Sequence, residues 1–348
     1  MDIIPKQSTP QLLRIGLTYN LKKNVVSDVA DNEAEYDNIE TVMAIKNALE
    51  NDYCIVELLE ATEELPAKLV NHAVDIVFNI AEGIQGRGRE AQVPAILNFY
   101  QIPFTGSDET TLCIALDKAL TKRLLSTYHI STPKYRVISA DQQKWGGNFT
   151  FPAIVKPNAE GSSKGISDIA IVSDMGELRS LVSKNLSIYK QDMLVEQYIG
   201  GREFTVGIIG NGSDIRVFPP MEIVYLNRQV QYNIYSYDVK QNYKKLIRYE
   251  CPAKIKIETE TEIMKTAQKI YEILDCKDFA RIDFRLSQEG KLYFIEINPL
   301  PGLAPGYSDF PMIAEFNGMD YVSLVRNVLH SALKRQGLSD SFLPICTC

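Results

Sequence analysis

The sequence predicts an α/β protein of three lobes, in which an N-terminal parallel βαβ lobe precedes two mixed α/β lobes. First, β-rich runs alternate with segments of helical periodicity in the first third of the chain. Second, strand-like runs and helical segments mix from about residue 107 onward. Third, 348 residues exceed what one hydrophobic core usually supports. We place the lobes at 1–106, 107–198 and 199–340, and we expect a cleft between lobes.

The first lobe contains three short β-rich runs, each followed by a segment with the periodicity of a helix. The runs are RIGLTYN, YCIVELLEA and DIVFNIAE, and the helical segments span 34–50, 62–71 and 89–100. Strands that alternate with helices in this way predict a parallel sheet.

The second and third lobes mix strands with fewer helices. A helical stretch from about Ser107 leads into the predicted strands KYRVIS, FPAIVKP and SDIAIVSD, a helix near 175–185 and the strand DMLVEQYI. The third lobe begins with the strands REFTVGIIG and IRVFPPMEIVYL. A polar, tyrosine-rich stretch at 227–250 is too long for an ordinary connection and predicts a lid or a disordered segment. A helix at 257–274, a strand pair at 279–298 and a final helix beyond Phe310 complete the lobe.

Composition excludes several classes of function. Lys and Arg number 37 against 44 Asp and Glu, and without a long basic run nucleic acid is not an expected partner. The start lacks a signal-peptide core, and no apolar run is long enough to cross a bilayer, so we expect a cytoplasmic protein. The scattered cysteines form no CxxC pair and predict buried thiols rather than disulfides or zinc. With only three histidines, a histidine-built catalytic site is not expected.

The most informative segment is DFARIDFRLSQEGKLYFIEINPLPG, which predicts a β-hairpin with a two-residue turn at 289–290. Residues equidistant from that turn lie opposite one another, which pairs Asp283 with Glu296 and Arg281 with Asn298. Strand alternation places all four side chains on one face of the hairpin. Facing carboxylates repel each other and destabilise a sheet unless a positive charge lies between them.

A divalent cation would relieve this repulsion. Mg²⁺ takes one or two carboxylates and fills its remaining positions with substrate phosphates and water. An arginine beside such a site suits a developing negative charge. The alternative is a polar hairpin that faces solvent, and the apolar neighbours of the IEIN segment argue against it.

A second segment, FPAIVKPNAEGSSKGIS, predicts a phosphate-binding lid. A strand ends at Lys156, and the loop that follows offers free backbone N–H groups and hydroxyls at Gly161, Ser162, Ser163 and Gly165. It is not a Walker A loop, because G-x-x-x-x-G-K-[ST] occurs nowhere in the chain. The alternative is a flexible surface hairpin.

Two further segments carry weaker signals. In LVEQYIGGREFTV, Glu196 and Glu203 bracket a Gly-Gly step that could expose backbone groups to a base and a carboxylate to ribose hydroxyls, although two exposed glutamates would look the same. The run from Gly86 to Ala91 imitates a dinucleotide fingerprint, but it follows the third strand, and its arginines would crowd a pyrophosphate. Those arginines, at a helix N-terminus, could instead bind a substrate carboxylate.

The order of the motifs LDKALTK, VKPNAEGSSKG, VEQYIGGREF, CPA, ARIDF and EINPLPG resembles that of the D-alanine D-alanine ligase family of ATP-grasp enzymes, over nearly the whole chain. This resemblance implies a three-lobed ATP-grasp fold and an ATP-dependent carboxylate-amine ligase. Such ligases phosphorylate the carboxylate of a first substrate, and the amine of a second substrate then attacks the acyl phosphate. The resemblance also implies a homodimer and two Mg²⁺ ions, which Mn²⁺ could replace.

The resemblance assigns roles to residues of this chain. The ATP contacts are Lys118, Lys156 and Ser162 at the phosphates, Glu196, Gln197 and Ile199 at adenine, and Glu203 at the ribose. The metal ligands are Asp283, Glu296 and Asn298. Arg281 and the backbone of Gly302 would stabilise the tetrahedral intermediate, and Ser162 would orient the lid.

Substrate residues transfer less directly. Glu35 matches the glutamate that receives the first substrate's ammonium, with Glu33 as a competitor because the insertion LKKNVVSDVADNE precedes it. Where the family reads HG and then GEDG, this chain has Glu82-Gly83 and then Gly88-Arg89-Glu90. The remaining substrate candidates are Arg87, Lys240 in the tyrosine-rich stretch and Ser308, which looks like the family's carboxylate-binding serine.

The carboxylates of Glu82 and Glu90 would suit a first substrate with an extra amine. Both a D-alanine ligase and a ligase for another small amino-acid pair therefore stay open. Two further alternatives are an ATP-grasp reaction with a larger acid or amine and a nucleotide-binding module without catalysis. Against the last stands the full set of candidate catalytic and metal-binding side chains.

Overall fold

The protein is described by a computed structural model that covers residues 12–23, 35–51, 54–71, 73–139, 145–146, 148–160, 171–226, 232–235, 239 and 242–338. These residues form three sheets, of which the first is parallel and the other two are antiparallel. The predicted fold class, an α/β protein with an N-terminal parallel sheet, is confirmed. The predicted lobe boundaries stay predictions.

The N-terminal sheet has the strand order β2-β1-β3, and all its pairs are parallel. Its strands are β1 (Leu13–Tyr19), β2 (Cys54–Glu60) and β3 (Ile76–Asn79). Its helices are α1 (Ile39–Leu49), α2 (Leu65–Asn71) and α3 (Gln92–Phe99), the last preceded by a 3₁₀ turn at Arg89–Ala91. The helix predicted from residue 34 begins at Ile39, because Asn38 caps it by accepting from Thr41 N at 2.9 Å.

The helical stretch predicted from Ser107 is two helices, α4 (Glu109–Leu116) and α5 (Lys118–Thr127). Asp117 separates them with a non-helical ψ of 95°, and its side chain accepts from Leu120 N at 2.9 Å. An aspartate in this conformation ends one helix and caps the next. Lys118 therefore stands at the first position of α5.

The second sheet has the strand order β4-β7-β5-β6 and lies against α6 (Met175–Tyr189). Its strands are β4 (Tyr135–Ile138), β5 (Ala153–Pro157), β6 (Ile171–Val172) and β7 (Met193–Gln197). Ile154 pairs with Glu196, so strand alternation brings Lys156 and Glu196 to the same face. The opposite face, with Val155 and Val195, packs in the core beneath α6.

The third sheet runs β11-β10-β8-β12-β13, with β9 paired to β8. Its strands are β8 (Arg202–Ile209), β9 (Arg216–Val217), β10 (Met221–Tyr225), β11 (Ile247–Glu250), β12 (Phe279–Leu286) and β13 (Leu292–Asn298). The remaining helices are α7 (Tyr243–Leu246), α8 (Ile257–Ile273), α9 (Asp309–Phe316) and α10 (Tyr321–Arg335).

Three sequence predictions for this lobe need correction. The strand predicted at 215–226 is broken between β9 and β10 at Pro219 and Pro220, which have no N–H to donate to a sheet. Residues 243–250, predicted as part of a lid or disordered stretch, form α7 and β11 because β11 pairs along β10. The final helix is two helices, α9 and α10, with Gly318 at a φ of +78° between them.

The β12–β13 hairpin has the pairs that the sequence predicts at its chemically important end. Arg281 lies opposite Asn298, and Asp283 lies opposite Glu296. The turn itself differs from the prediction.

Ser287 N donates to the carbonyl of Lys291 at 2.9 Å, and the loop between them ends at Gly290 with a φ of +81°. This is a three-residue hairpin loop rather than a two-residue turn. The one-residue difference disappears in a β-bulge after Asp283, which shifts the register back. The predicted pairing is correct because bulge and loop compensate each other.

The lobes share buried surface. One apolar cluster runs from the N-terminal sheet through α9 and α10 to Phe279 on β12, where Phe310 packs with ring centroids 5.8 Å apart. Among the helices of the described ranges, none combines the length and apolar character that a bilayer span requires.

Candidate active site

A cleft between the second and third sheets gathers most of the predicted nucleotide and metal residues. It has an empty volume of about 620 Å³, part of which is open to solvent. Its walls include the apolar side chains of Ile154 and Ile295 beside charged groups, as nucleotide pockets commonly do. The predicted residues that line it are Lys156, Glu196, Gln197, Ile199, Glu203, Asp283 and Glu296.

Two lysines share one buried glutamate at the inner wall of this cleft. Lys156 Nζ lies 2.6 Å from Glu196 Oε1, and Lys122 Nζ lies 3.2 Å from Glu196 Oε2. Burial lowers the pKa of Lys122 to about 8, although Glu196 opposes that shift. Burial also acts against the charge on Lys156, but Glu196 and Glu296 outweigh it and raise the pKa of Lys156. The group therefore holds two cations for one carboxylate.

Lys118 contacts both the metal-candidate strand and the last described residue after β5. Its Nζ is 3.6 Å from Glu296 Oε2 and donates to the carbonyl of Glu160, the last described residue before the loop. Its backbone N donates to the carbonyl of Asn158 at 3.0 Å, which ties α5 to the end of β5. The phosphate-binding role that the resemblance assigns to Lys118 stays a prediction.

Glu203 is held at the outer end of the cleft by two donors. Arg285 Nη2 and the hydroxyl of Tyr225 both donate to Glu203 Oε2, each at 2.7 Å. Arg285 also donates to the carbonyl of Ile199 at 2.8 Å, and its guanidinium lies 5.0 Å from the ring centroid of Tyr198. Glu203 Oε1 accepts no hydrogen bond from the described residues and remains an acceptor within the cleft wall.

The candidate metal and oxyanion residues form one charged group on β12 and β13. Arg281 donates to both oxygens of Asp283, at 3.1 and 3.0 Å, and its Nη1 lies 3.6 Å from Asp309 Oδ2. Burial raises the pKa of Asp283, Arg281 opposes that shift, and the facing Glu296 adds to it. Asp309 is held in turn by the hydroxyl of Tyr235 at 2.8 Å.

The side chains of this group fit a magnesium site that has few protein ligands. The described residues contain no group of three or more His, Cys, Asp or Glu side chains arranged to hold a metal. Asp283 and Glu296 supply two carboxylates, and Asn298 supplies an amide oxygen that Leu300 N orients at 3.1 Å. Such a small set suits Mg²⁺, which completes its coordination with substrate phosphates and water.

A second charged group joins the segment before α1 to the residues that follow β5. Arg89 Nη2 donates to both carboxylate oxygens of Glu35 at 2.6 Å and lies 3.3 Å from Glu160 Oε2. Its Nη1 donates to the carbonyl of Ala159 at 2.9 Å. Burial opposes the charge on Arg89, but the surrounding carboxylates outweigh it and raise its pKa. Arg89 thus joins the candidate first-substrate glutamate to the second sheet.

Two glutamates beside this arginine have no hydrogen-bond or ion-pair partner among the described residues. Glu90 is 6% exposed, and neither Glu90 nor Glu82 makes a hydrogen bond or an ion pair with the described residues. Burial, followed by Glu35, raises the pKa of Glu90 to about 7. Burial, followed by Glu90, raises the pKa of Glu82 well above its ordinary value. Within the described part of the chain, this group therefore holds more carboxylates than cations.

The other predicted substrate residues are placed separately. Arg87 has a largely exposed side chain and pairs with Asp117 at 2.8 Å, outside the group around Glu35. Ser308 Oγ accepts from Ala304 N at 3.1 Å, and a Cβ on Gly302 would stand 2.9 Å from that oxygen. Ser162, Lys240, the competitor Glu33 and the loop from Gly161 to Gly165 lie outside the described residues.

Sequence reasoning missed four side chains of this site. Arg285 follows Arg281 and Asp283 at the same two-residue spacing, so strand alternation could have placed it on their face. Lys122 stands one helical turn after Lys118, within the quoted LDKALTK motif, and this spacing was a usable signal. Asp309 and Tyr235 carry no comparable local signal, because only the tertiary fold brings them to Arg281.

Comparison with solved structures identifies the fold. A D-alanine–D-alanine ligase from Bacillus anthracis, complexed with ATP, superposes with a TM-score of 0.72 at 22% identity, covering 93% of this chain and 99% of that one. The VanG D-Ala:D-Ser ligase from Enterococcus faecalis gives a TM-score of 0.72 at 20% identity, covering 92% and 100%. The fold is therefore that of the ATP-grasp ligases, as predicted.

Sequence comparison defines the family. The family model for the C-terminus of D-ala D-ala ligase matches residues 125–330. A D-alanine–D-alanine ligase from Aquifex aeolicus is 32% identical over 293 residues, which are 84% of this chain and 94% of that relative. The chain belongs to the D-alanine D-alanine ligase family. Both the predicted family and the predicted class of enzyme, an ATP-dependent ligase, are confirmed.

Proposed function

We propose that this chain joins two small amino acids through an acyl phosphate made from ATP, and that the cleft between the second and third sheets is its active site. The observation that carries the proposal is the convergence of Lys156, Glu203, Asp283 and Glu296 on that single cleft. The family resemblance further supports a homodimer in the cytoplasm that uses two Mg²⁺ ions.

A carboxylate is a poor electrophile, and phosphorylation supplies it with a leaving group. Asp283, Glu296 and Asn298 would hold Mg²⁺, which when bound neutralises charge on the reacting phosphates. Lys118 and Lys156 add fixed positive charge from α5 and β5. Arg281, held by Asp283 and Asp309, is positioned for the oxyanion that forms when the amine attacks.

We further propose that the first substrate carries a second cationic group, as a diamino acid does. A buried carboxylate without a partner is costly, and Glu90 is such a group among the described residues, with the half-buried Glu82 beside it. Arg89 already compensates Glu35, so an ordinary ammonium would leave the other two glutamates unpaired. A side-chain amine placed near them would provide the missing charge.

The test is phosphate release from Mg-ATP by the purified full chain, with D- and L-amino acids supplied singly and in pairs. The panel includes alanine, serine and short diamino acids, and mass spectrometry identifies the products. We expect release to require both substrates, and Asp283→Asn to abolish it. Asp275→Asn is the matched control, because Asp275 lies on the surface, paired with Lys277, and its left-handed backbone suits asparagine.

The outcomes separate the two claims. ATP turnover that proceeds equally with one amino acid alone contradicts the ligase. A dipeptide formed from alanine with no gain from diamino acids supports the ligase but contradicts the cationic first substrate. Glu90→Gln should remove any preference for a diamino acid while leaving turnover of neutral pairs in place.

A further inference from the structure

Lys122 is the most deeply buried charged side chain near the nucleotide cleft, with no exposed surface. From α5 it reaches Glu196 on β7 and donates to the carbonyl of Ile295 on β13 at 2.6 Å. Its ammonium lies 5.3 Å from the ring centroid of Phe294. Burying a lysine costs free energy, so we expect a lysine with no exposed surface to have a role that offsets this cost.

The charges of the group indicate what that role is. Lys156 lies 2.6 Å from Glu196, and a pair at that distance cancels most of its own field at a nearby phosphate. Lys122 provides a second cation on the far oxygen of the same carboxylate, 3.2 Å away. Lys122, Lys156 and Glu196 together then carry a net charge of +1. Lys156 lines the adjacent cleft, and Lys122 does not.

We propose that Lys122 is a positioning residue of the nucleotide site, which neutralises Glu196 so that the charge of Lys156 stays available to the phosphates. The bond to Ile295 adds a mechanical link, because Ile295 precedes the metal candidate Glu296. This inference rests on the proposed function only in taking an adenine nucleotide as the ligand of the cleft.

The test measures binding of adenosine, AMP, ADP and Mg-ATP to the full chain by calorimetry, without amino acids. Lys122→Met should leave adenosine affinity within about twofold of wild type and weaken ADP and ATP by roughly tenfold to a hundredfold, the effect of one lost charge in a partly buried site. Lys122→Arg, which keeps the charge, should bind ADP and ATP with most of the wild-type affinity. A purely structural role would instead weaken all four ligands alike, and that result would overturn the inference.

Arg335→Met is the control for stability. It breaks a partly buried ion pair with Asp278, at 2.8 Å, away from the cleft. It should lower the melting temperature and leave the nucleotide series unchanged. A wild type that binds no adenine nucleotide would overturn both this inference and the proposed function. If Lys122→Met loses affinity only for the phosphorylated ligands and the wild type shows no ligase turnover, the result would support this inference and contradict only the ligase activity.

If Lys122→Met does not fold, the pH dependence of the wild type gives the same information. The groups that face Lys122 are Glu196 from β7, Lys156 from β5 and Glu296 from β13. Because the pKa of Lys122 is about 8, its charge is lost above that pH while Lys156 stays charged. ADP affinity relative to adenosine should therefore fall between pH 7 and 9 in the wild type and not in Lys122→Arg. Equal pH profiles for the two proteins would overturn the inference.

Discussion

Arg89 donates to both carboxylate oxygens of Glu35, a residue 54 positions away, and this buried pair connects the loop after β3 to the segment before α1. The same guanidinium holds the carbonyl of Ala159 at the start of the predicted phosphate loop. One side chain therefore links the candidate first-substrate glutamate to the backbone that follows β5. A substitution of Arg89 should therefore affect the positions of both Glu35 and Ala159.

Arg89→Met should destabilise the protein by about 3 to 5 kcal/mol, because it leaves Glu35 buried without its cation. It should also raise KM for the first substrate. Denaturant unfolding and initial rates at varied amino acid concentration measure the two effects. Arg87→Met, two positions away and largely exposed, is the matched control and should cost less than about 1 kcal/mol. Equal losses in the two variants would contradict the role given to the buried pair.

The unpaired glutamates predict that stability falls as pH rises toward neutrality. Glu90 keeps its proton to about pH 7 in the folded chain but loses it near 4.5 when unfolded, so the folded state binds more protons between those values. Its contribution is therefore fully present at low pH and is lost as pH rises through 7. Asp37, whose pKa burial raises to about 7, acts in the same direction.

Glu90→Gln should flatten this dependence and exceed the wild type at pH 8 by on the order of 2 kcal/mol. Urea unfolding midpoints between pH 5 and 8 provide the measurement. Glu262→Gln, on the exposed side of α8, is the control and should follow the wild-type profile. A wild type whose stability rises across this range, with Glu90→Gln parallel to it, would refute the prediction.

The pH profile depends on groups that sequence reasoning identified by type but not by environment. Glu82 and Glu90 are visible in the sequence as departures from a family motif, but the burial of Glu90 and the half-burial of Glu82 follow only from the fold. Of the two arginines in that motif, the sequence favoured Arg87. Only the fold shows that Arg89 points inward and Arg87 outward.

The hairpin shows the opposite case, in which local rules were sufficient. Alternation and a turn signal predicted the facing pair of Asp283 and Glu296 although the turn was misassigned. The alternation of side chains along the strands still predicts the facing pairs when the loop is one residue longer, because a bulge restores the register. The contacts of Asp309 and Tyr235 depend on α9 and on a segment far away in sequence, so no local pattern predicts them.

Glu203 should control discrimination at the ribose. Its Oε2 is occupied by Arg285 and Tyr225, which leaves Oε1 to accept from a hydroxyl of the nucleotide. Glu203→Gln should therefore reduce the preference for ATP over 2′-deoxy- and 3′-deoxy-ATP. The measurement is the ratio of the KM for each deoxynucleotide to the KM for ATP. Tyr225→Phe, which removes one donor but keeps the carboxylate, should lower stability by about 1 kcal/mol and preserve the preference. Loss of discrimination in both variants, or in neither, would count against a direct role for Glu203.

A side chain at Gly302 should require Ser308 to move. A Cβ at position 302 would lie 2.9 Å from Ser308 Oγ and 3.7 Å from its Cβ, so the clash involves the hydroxyl. Gly302→Ala should displace Ser308, break its bond from Ala304 N and raise KM for the second substrate by roughly tenfold. The double variant Gly302→Ala with Ser308→Ala should regain the stability lost in the single variant, because the clashing atom is gone, but not the substrate affinity. Melting temperatures and second-substrate KM values of the four proteins form a double-mutant cycle. Strictly additive melting temperatures would show that the two residues do not share this contact, and recovery of KM in the double variant would remove Ser308 from substrate binding.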